Sequence, residues 1–152
     1  MSVTRANVEN VLVKRAGALM TKASMDGTTV DGTNEDLADP IAWGLRVAGY
    51  TSADITNPTT AEVAAAEDDI DEVVDYAELR TMENVLGNLD DVDTTVGPRS
   101  ESLSQLAEQV QKRLDTLLAR VKDTYGYGAS PLTTGTITYE FAEHQSGSDD
   151  DE

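Results

Sequence analysis

Between residues 100 and 125 the apolar side chains fall at Leu103, Leu106, Ala107, Val110, Leu114, Leu117, Leu118 and Val121, in steps of 3, 1, 3, 4, 3, 1 and 3. Only an α-helix gathers positions so spaced onto one stripe. A helix with a single apolar stripe must lay that stripe against something, so this segment calls for partner helices. The rest of the chain offers them. Val8, Leu12, Ala16, Leu19 and Ala23 form a second stripe behind Thr4, a good N-cap. Val63, Ala66, Ile70, Val73, Ala77, Met82, Val85, Leu86 and Leu89 form a third. The expected fold is mainly α: a small bundle of about four helices.

The helix boundaries follow from local chemistry. The first helix should stop near Ser24, before the turns Asp26-Gly27 and Asp31-Gly32. Met25 to Ala38 reads as a loop. Its acids do not fit an EF-hand: with Gly27 or Gly32 at the sixth loop position, the first ligand would be Lys22 or Gly27. Asp39-Pro40 reads as an N-cap followed by proline at the first helical position, opening a short helix with Ile41, Trp43, Leu45 and Val47 that stops at Gly49. Trp43, the only tryptophan, reads as a core or interface anchor. Thr59 and Glu62 match a capping box, and the helix they open should run to Gly87-Asn88. Ser100 is the expected N-cap of the last helix, which Tyr125-Gly126-Tyr127-Gly128 ends.

Beyond Gly128 the period changes from 3.6 to 2. Thr136 to Phe141 alternates polar and apolar residues, which predicts a strand. A lone strand leaves its backbone groups unpaired, so it needs a partner strand. Pairing with another chain by strand addition would bury Ile137, Tyr139 and Phe141 in alternate pockets. The expected organisation is therefore a helical unit over 1–128, a C-terminal strand arm over 129–142 and an acidic flexible tail over 143–152.

Charge narrows the possible functions. With 29 acids and 11 bases the net charge is −18. Such a chain has no electrostatic reason to adhere to nucleic acid or anionic lipid, and no apolar run approaches the roughly 20 residues of a membrane span. No secretion signal opens the chain, so it is expected to be soluble and not exported. Cysteine is absent, which removes disulfides, thiolate metal sites and cysteine nucleophiles. His144, the only histidine, lies beside the expected tail, and no phosphate-binding glycine motif is present. The expectation is no enzyme, no cofactor and no specific metal. Acids concentrate from Asp54 to Asp93, where 13 stand against one base, Arg80. Glu67, Asp68, Asp71, Glu72, Asp75 and Glu78 are expected on one outward helical face. With 17 Asp and 4 Lys, the surface also suits concentrated salt and a halophilic host. The core is lean: Leu, Ile, Val and Phe total 32 residues of 152, close to the ~20% below which high charge implies disorder. A protomer that completes its burial between neighbouring chains would need no more.

Taken in order, these pieces resemble the head–tail connector adaptors of tailed viruses, also called head completion proteins. The resemblance runs from about Val3 to Tyr127. It rests on the opening helix and its Asp26-Gly27-Thr28-Thr29 turn, then Asn34-Glu35-Asp36-Leu37-Ala38-Asp39-Pro40 with Ile41-Ala42-Trp43. It continues in the acidic helix with Ala77-Glu78-Leu79-Arg80 and in Asp93-Thr94-Thr95-Val96-Gly97-Pro98-Arg99-Ser100-Glu101-Ser102-Leu103. The Val-Gly-Pro-Arg connector is its most specific part, and the acidic tail departs from the pattern. The resemblance implies a homo-oligomeric ring of about a dozen copies, bound to the portal protein on one side and to a tail or stopper protein on the other. Such a ring belongs to the virion neck, is assembled in the host cytoplasm, and lets DNA pass without specific binding. The acidic helical face would then line the channel. Two other readings remain: another neck or tail completion protein, or an acidic DNA mimic that inhibits a DNA-binding protein.

Overall fold

A computed structural model describes residues 2–50, 54–93 and 100–128, the side chains of 90–93 and 100–103 excepted. The described part is mainly α, with five α-helices, one 3₁₀ turn and no strand. The helices are α1 (Arg5–Lys22), α2 (Glu35–Val47), α3 (Thr60–Ala65), α4 (Ile70–Asp93) and α5 (Ser100–Tyr125), with the 3₁₀ turn at Glu67–Asp69. The strand arm with Ile137, Tyr139 and Phe141, and the acidic tail, lie outside the described residues.

α4 is the centre of the bundle. Val73 to Leu79 are all buried on it, because other elements cover α4 on every side. α1 runs parallel to it: Val3 lies near Glu67, Arg15 at Asp75 and Glu78, and Ala23 at Asn88. α2 runs antiparallel, with Asp39 against Arg80 and Gly44 against Val73 and Ala77. α5 is antiparallel too, with Arg113 at Glu78 and Arg120 and Tyr125 at Asp75. The core draws on the predicted stripes: Val8, Leu12, Ala16 and Ala23 from α1 and its C-cap, Val73, Ala77, Met82, Val85 and Leu89 from α4, and Val110, Leu117 and Val121 from α5. On α1, Met20 is buried in place of the expected Leu19, which is only partly covered. Leu37, Ile41 and Leu45 of α2 complete it. Each fully buried Leu or Ile contributes roughly 2 kcal/mol relative to exposure.

Two close approaches require glycine. A Cβ on Gly44 would stand 2.7 Å from the Val73 carbonyl oxygen, so this residue sets how near α2 comes to α4. A Cβ on Gly27 would stand 2.1 Å from the Gly17 carbonyl oxygen, so the loop after α1 lies directly on that helix.

Several caps stand where the sequence puts them. Thr4 accepts from the Asn7 amide at 3.2 Å, and Asn7 returns its Oδ1 to the Thr4 amide. Thr59 and Glu62 form the expected capping box. Gly49, at φ +98°, closes α2 in a Schellman motif, with Tyr50 N donating to Leu45 O and Gly49 N to Arg46 O.

Three boundaries differ from expectation. α2 starts at Glu35, five residues before Pro40, with Asn34 as N-cap accepting from the Asp36 and Leu37 amides. Asn34 is a firmer cap than Asp39 because its amide group is itself anchored to the Asp26 and Thr29 carbonyls. Pro40 therefore sits inside the helix, where it supplies no N–H to the Asp36 carbonyl. The segment opened by Thr59 breaks at Ala66 and restarts at Ile70, with Glu67, Asp68 and Asp69 in the 3₁₀ turn between. Placed before and within the first turn of α4, the acids meet the positive end of the helix dipole instead of crowding a helix interior. α4 then runs through Gly87 to Asp93. An interior glycine costs about 1 kcal/mol, which the burial of Leu89 outweighs.

Candidate functional site

The six carboxylates expected on one outward face divide into two groups. Glu67, Asp68 and Asp71 are exposed, and Glu72 is partly covered. Asp75 and Glu78 are not on the surface at all: each is 3% exposed. This corrects the expectation for that pair. The cause lies in the helix geometry. One turn beyond Asp71, α4 passes beneath both α1 and α5, so every face of the helix meets protein.

At that crossing the two carboxylates collect three arginines from two other helices. Asp75 Oδ1 accepts from Arg15 at 3.1 Å, and its Oδ2 from Arg120 at 3.3 Å and the Tyr125 hydroxyl at 2.7 Å. Glu78 Oε1 accepts from Arg15 at 3.0 Å and its Oε2 from Arg113 at 3.0 Å. Arg113 also donates to the Arg15 carbonyl. Partial burial opposes the charge on Arg15, and hydrogen bonds to Glu78 and Asp75 more than offset it, so its pKa is raised. All four carboxylate oxygens are occupied. The pair is therefore not poised as a general base or a metal ligand; it joins α1, α4 and α5.

A second buried pair orders the other end of the bundle. Arg5 and Glu9, one helical turn apart, meet at 2.9 Å with both side chains buried. Arg5 also donates to the Pro58 and Asn34 carbonyls and to Asn57 Oδ1. Glu9 accepts from the Gly32 amide at 2.7 Å and the Asn34 amide at 3.1 Å. One ion pair thus fixes both long loops to α1. The acids of the intervening loop are used locally. Asp26 accepts from the Thr28 and Thr29 amides, and hydrogen bonds from Thr29 and Thr28 hold its pKa down at about 2. Asp31 closes a similar turn on Thr33.

Trp43 is a half-buried anchor in an aromatic cluster. Tyr76 and Tyr127 meet it edge-on, with ring centroids at 6.1 and 5.9 Å, and the Arg80 guanidinium lies 5.6 Å from the centre of its ring. Tyr125 joins through Tyr76. Burial is the first cause that raises the Tyr76 and Tyr125 hydroxyls to about 12, with Glu72 and Asp75 acting in the same sense. The chain reaches Gly128 beside this cluster.

Among the described residues no group of three or more acid or histidine side chains is arranged to hold a metal, and no described helix is long and apolar enough to cross a membrane. A groove of about 610 Å³ is lined by Arg5, Thr33, Asn57, Thr59 and neighbours. Arg5, its one buried charge, is already committed to Glu9 and the loops.

Sequence reasoning missed both ion-pair networks. The signal for the Asp75–Glu78 pair was present: neither acid has a base three or four residues away on α4, and Arg113 and Arg120 lie among the apolar stripe of α5. It also missed Asp69, exposed at the end of the 3₁₀ turn, where the Tyr50 hydroxyl donates to it. No protein-family model, curated protein or solved structure matches the chain.

Proposed function

We propose that this chain is a structural subunit of a tailed-virus neck, an adaptor ring that joins the portal to the tail or to a stopper and encloses part of the DNA channel. The observation that carries the reading is the uncompensated exposed acid of Glu67, Asp68, Asp69 and Asp71, in a stretch from 54 to 79 that contains no base. The helical order supports it: an opening helix, a tight turn, a short helix with Trp43, an acidic helix and a long last helix follow one another as the resemblance implies. A channel lined with carboxylates repels phosphate, so a duplex slides without sticking. About a dozen copies at −18 each carry roughly −200, a strong field at low salt. With Asp75 and Glu78 neutralised inside, the lining is assigned to the 3₁₀ turn and the first turn of α4.

No catalytic step is assigned to the chain. The arm over 129–142 is read as the attachment to the portal, through strand addition by Ile137, Tyr139 and Phe141.

The test is imaging and light scattering of the full chain, alone and mixed with its portal ring, from dilute to molar salt. Rings coaxial with the portal are expected. A chain that stays monomeric with the portal and instead binds a DNA-processing enzyme one to one would overturn the proposal in favour of a DNA mimic. Cutting after Gly128 should leave the helical circular dichroism intact and abolish attachment. Attachment of the truncated chain would remove the role given to the arm.

A further inference from the structure

Among the described residues Arg5, Arg15, Arg80, Arg113 and Arg120 are engaged in ion pairs, and Arg46 donates to the Ile55 carbonyl. The four lysines of the sequence, Lys14, Lys22, Lys112 and Lys122, are all exposed, and none makes an ion pair with a described residue. Two of them stand on α1, a helix whose only acid, Glu9, is buried. The outer stripe of α1 therefore carries Val11, Lys14, Ala18 and Lys22, spaced by 3, 4 and 4, with no exposed carboxylate. Val11 is one of the few large apolar side chains left exposed, at 37%. It lines a groove of about 230 Å³ with Val3, Ile70 and Val74, which Arg15 and Asp71 also border. On a molecule of net charge −18, this stripe is a positive, partly apolar strip. The acid Glu67 lies near Val3, at the other end of the same side, with Asp68 exposed beside it in the 3₁₀ turn, while Asp71 borders the Val11 groove itself. From its start beside Val3, α1 carries Lys22 about 25 Å away at 1.5 Å per residue.

We propose that the outer stripe of α1 receives the acidic 3₁₀ turn and first turn of α4 from a second copy of this chain. The inference rests on the ring reading and names the contact between neighbours in it. The lysine end of the stripe and the acids of the 3₁₀ turn differ in sign and position, so each copy offers one and takes the other. Such a heterologous contact propagates and closes into a ring if the rotation allows. From Val11 to Lys22 the strip is about 16 Å long and about 10 Å wide and covers on the order of 200 Å², less than the ~800 Å² per partner of a stable pair. Two isolated copies thus hold weakly, and closure supplies the remaining affinity by making the last contact intramolecular. Added salt screens the repulsion between like-charged bodies and also the lysine–carboxylate attraction at the contact, while the Val11 and Ala18 contact is insensitive to screening.

The absence of cysteine makes the test direct. Full-length Ala18→Cys and Asp68→Cys variants are mixed and oxidised. The heterodimer should exceed either homodimer on the order of tenfold, and Lys14→Glu with Lys22→Glu in the first partner should lower its yield by a similar factor. Asp71→Lys in the second partner should restore the yield, and circular dichroism checks that each variant folds. Homodimers in equal amount, no cross-link at all, or preferential pairing of Ala18→Cys with a Tyr139→Cys variant would each overturn the proposal. Rings seen by microscopy without the heterodimer leave the ring standing and remove this contact. A heterodimer without rings keeps the contact and removes the ring.

Discussion

Single residues show where local conformation is held against its own preference. Ser24 follows α1 at φ +63°, the position where a Schellman motif favours glycine. Its amide donates to the Thr21 carbonyl and that of Met25 to the Met20 carbonyl. Its side chain is exposed, so little is lost by removing it. Ser24→Gly is expected to raise the free energy of unfolding by about 0.5–1 kcal/mol, read from the urea midpoint. Tyr76 and Tyr125 set the alkaline limit. Their folded pKa values lie at about 12, against a usual 10.0. The neutral form is the one the fold favours, so this stability is complete below pH 10 and is lost as the pH rises toward 12. Phenolate absorbance and helical circular dichroism, followed together, should show these two rings ionising late and the helices failing with them. Ionisation of all five tyrosines near the ordinary value with the helices intact would contradict that coupling.

At the scale of elements, the Asp75–Glu78 network joins three helices, and its two sides are unequal. The carboxylates are buried, while the side chains of Arg15, Arg113 and Arg120 remain 36, 36 and 52% exposed. Asp75→Asn or Glu78→Gln leaves partly buried guanidinium groups without their counter-charge and should cost about 2–3 kcal/mol. Arg120→Ala removes a half-exposed partner and leaves the buried Asp75 with Arg15 and the Tyr125 hydroxyl, so it should cost below about 1 kcal/mol. Urea unfolding of the three variants checks the order. The contrast between caps and network shows what the sequence could reveal. Thr4, Thr59 and Gly49 act on backbone within a few residues, so their roles are legible locally. The start of α2 is not legible in this way, because Asn34 owes its advantage over Asp39 to bonds with Asp26, Thr29 and Glu9. The network is hidden for the same reason: Arg15 lies 60 positions from Asp75, and Arg113 lies 35 from Glu78. An acid read only by helical spacing looks outward, and it is the packing of α1 and α5 on α4 that turns Asp75 and Glu78 inward.

For the whole molecule, the balance of charge decides how it responds to solvent. The ion pairs inside are sheltered, whereas the acids of the 3₁₀ turn and α4's first turn face water without a compensating base. Raising salt from dilute to molar should therefore remove more repulsion than attraction, and calorimetry should show the thermal midpoint of the full chain climbing by several degrees. A falling midpoint would mean that the partly exposed arginine pairs dominate.

α4 touches α1, α2 and α5 extensively, while those three have only slight contact with one another. The architecture is an axle with spokes. α5 is a spoke held along one side, by Val110, Leu117, Val121 and the arginine clasps. Peeling it away would expose that side of α4 yet leave the union of α1, α2 and α4 standing. Its amides should exchange with solvent through a smaller opening than the axle's own.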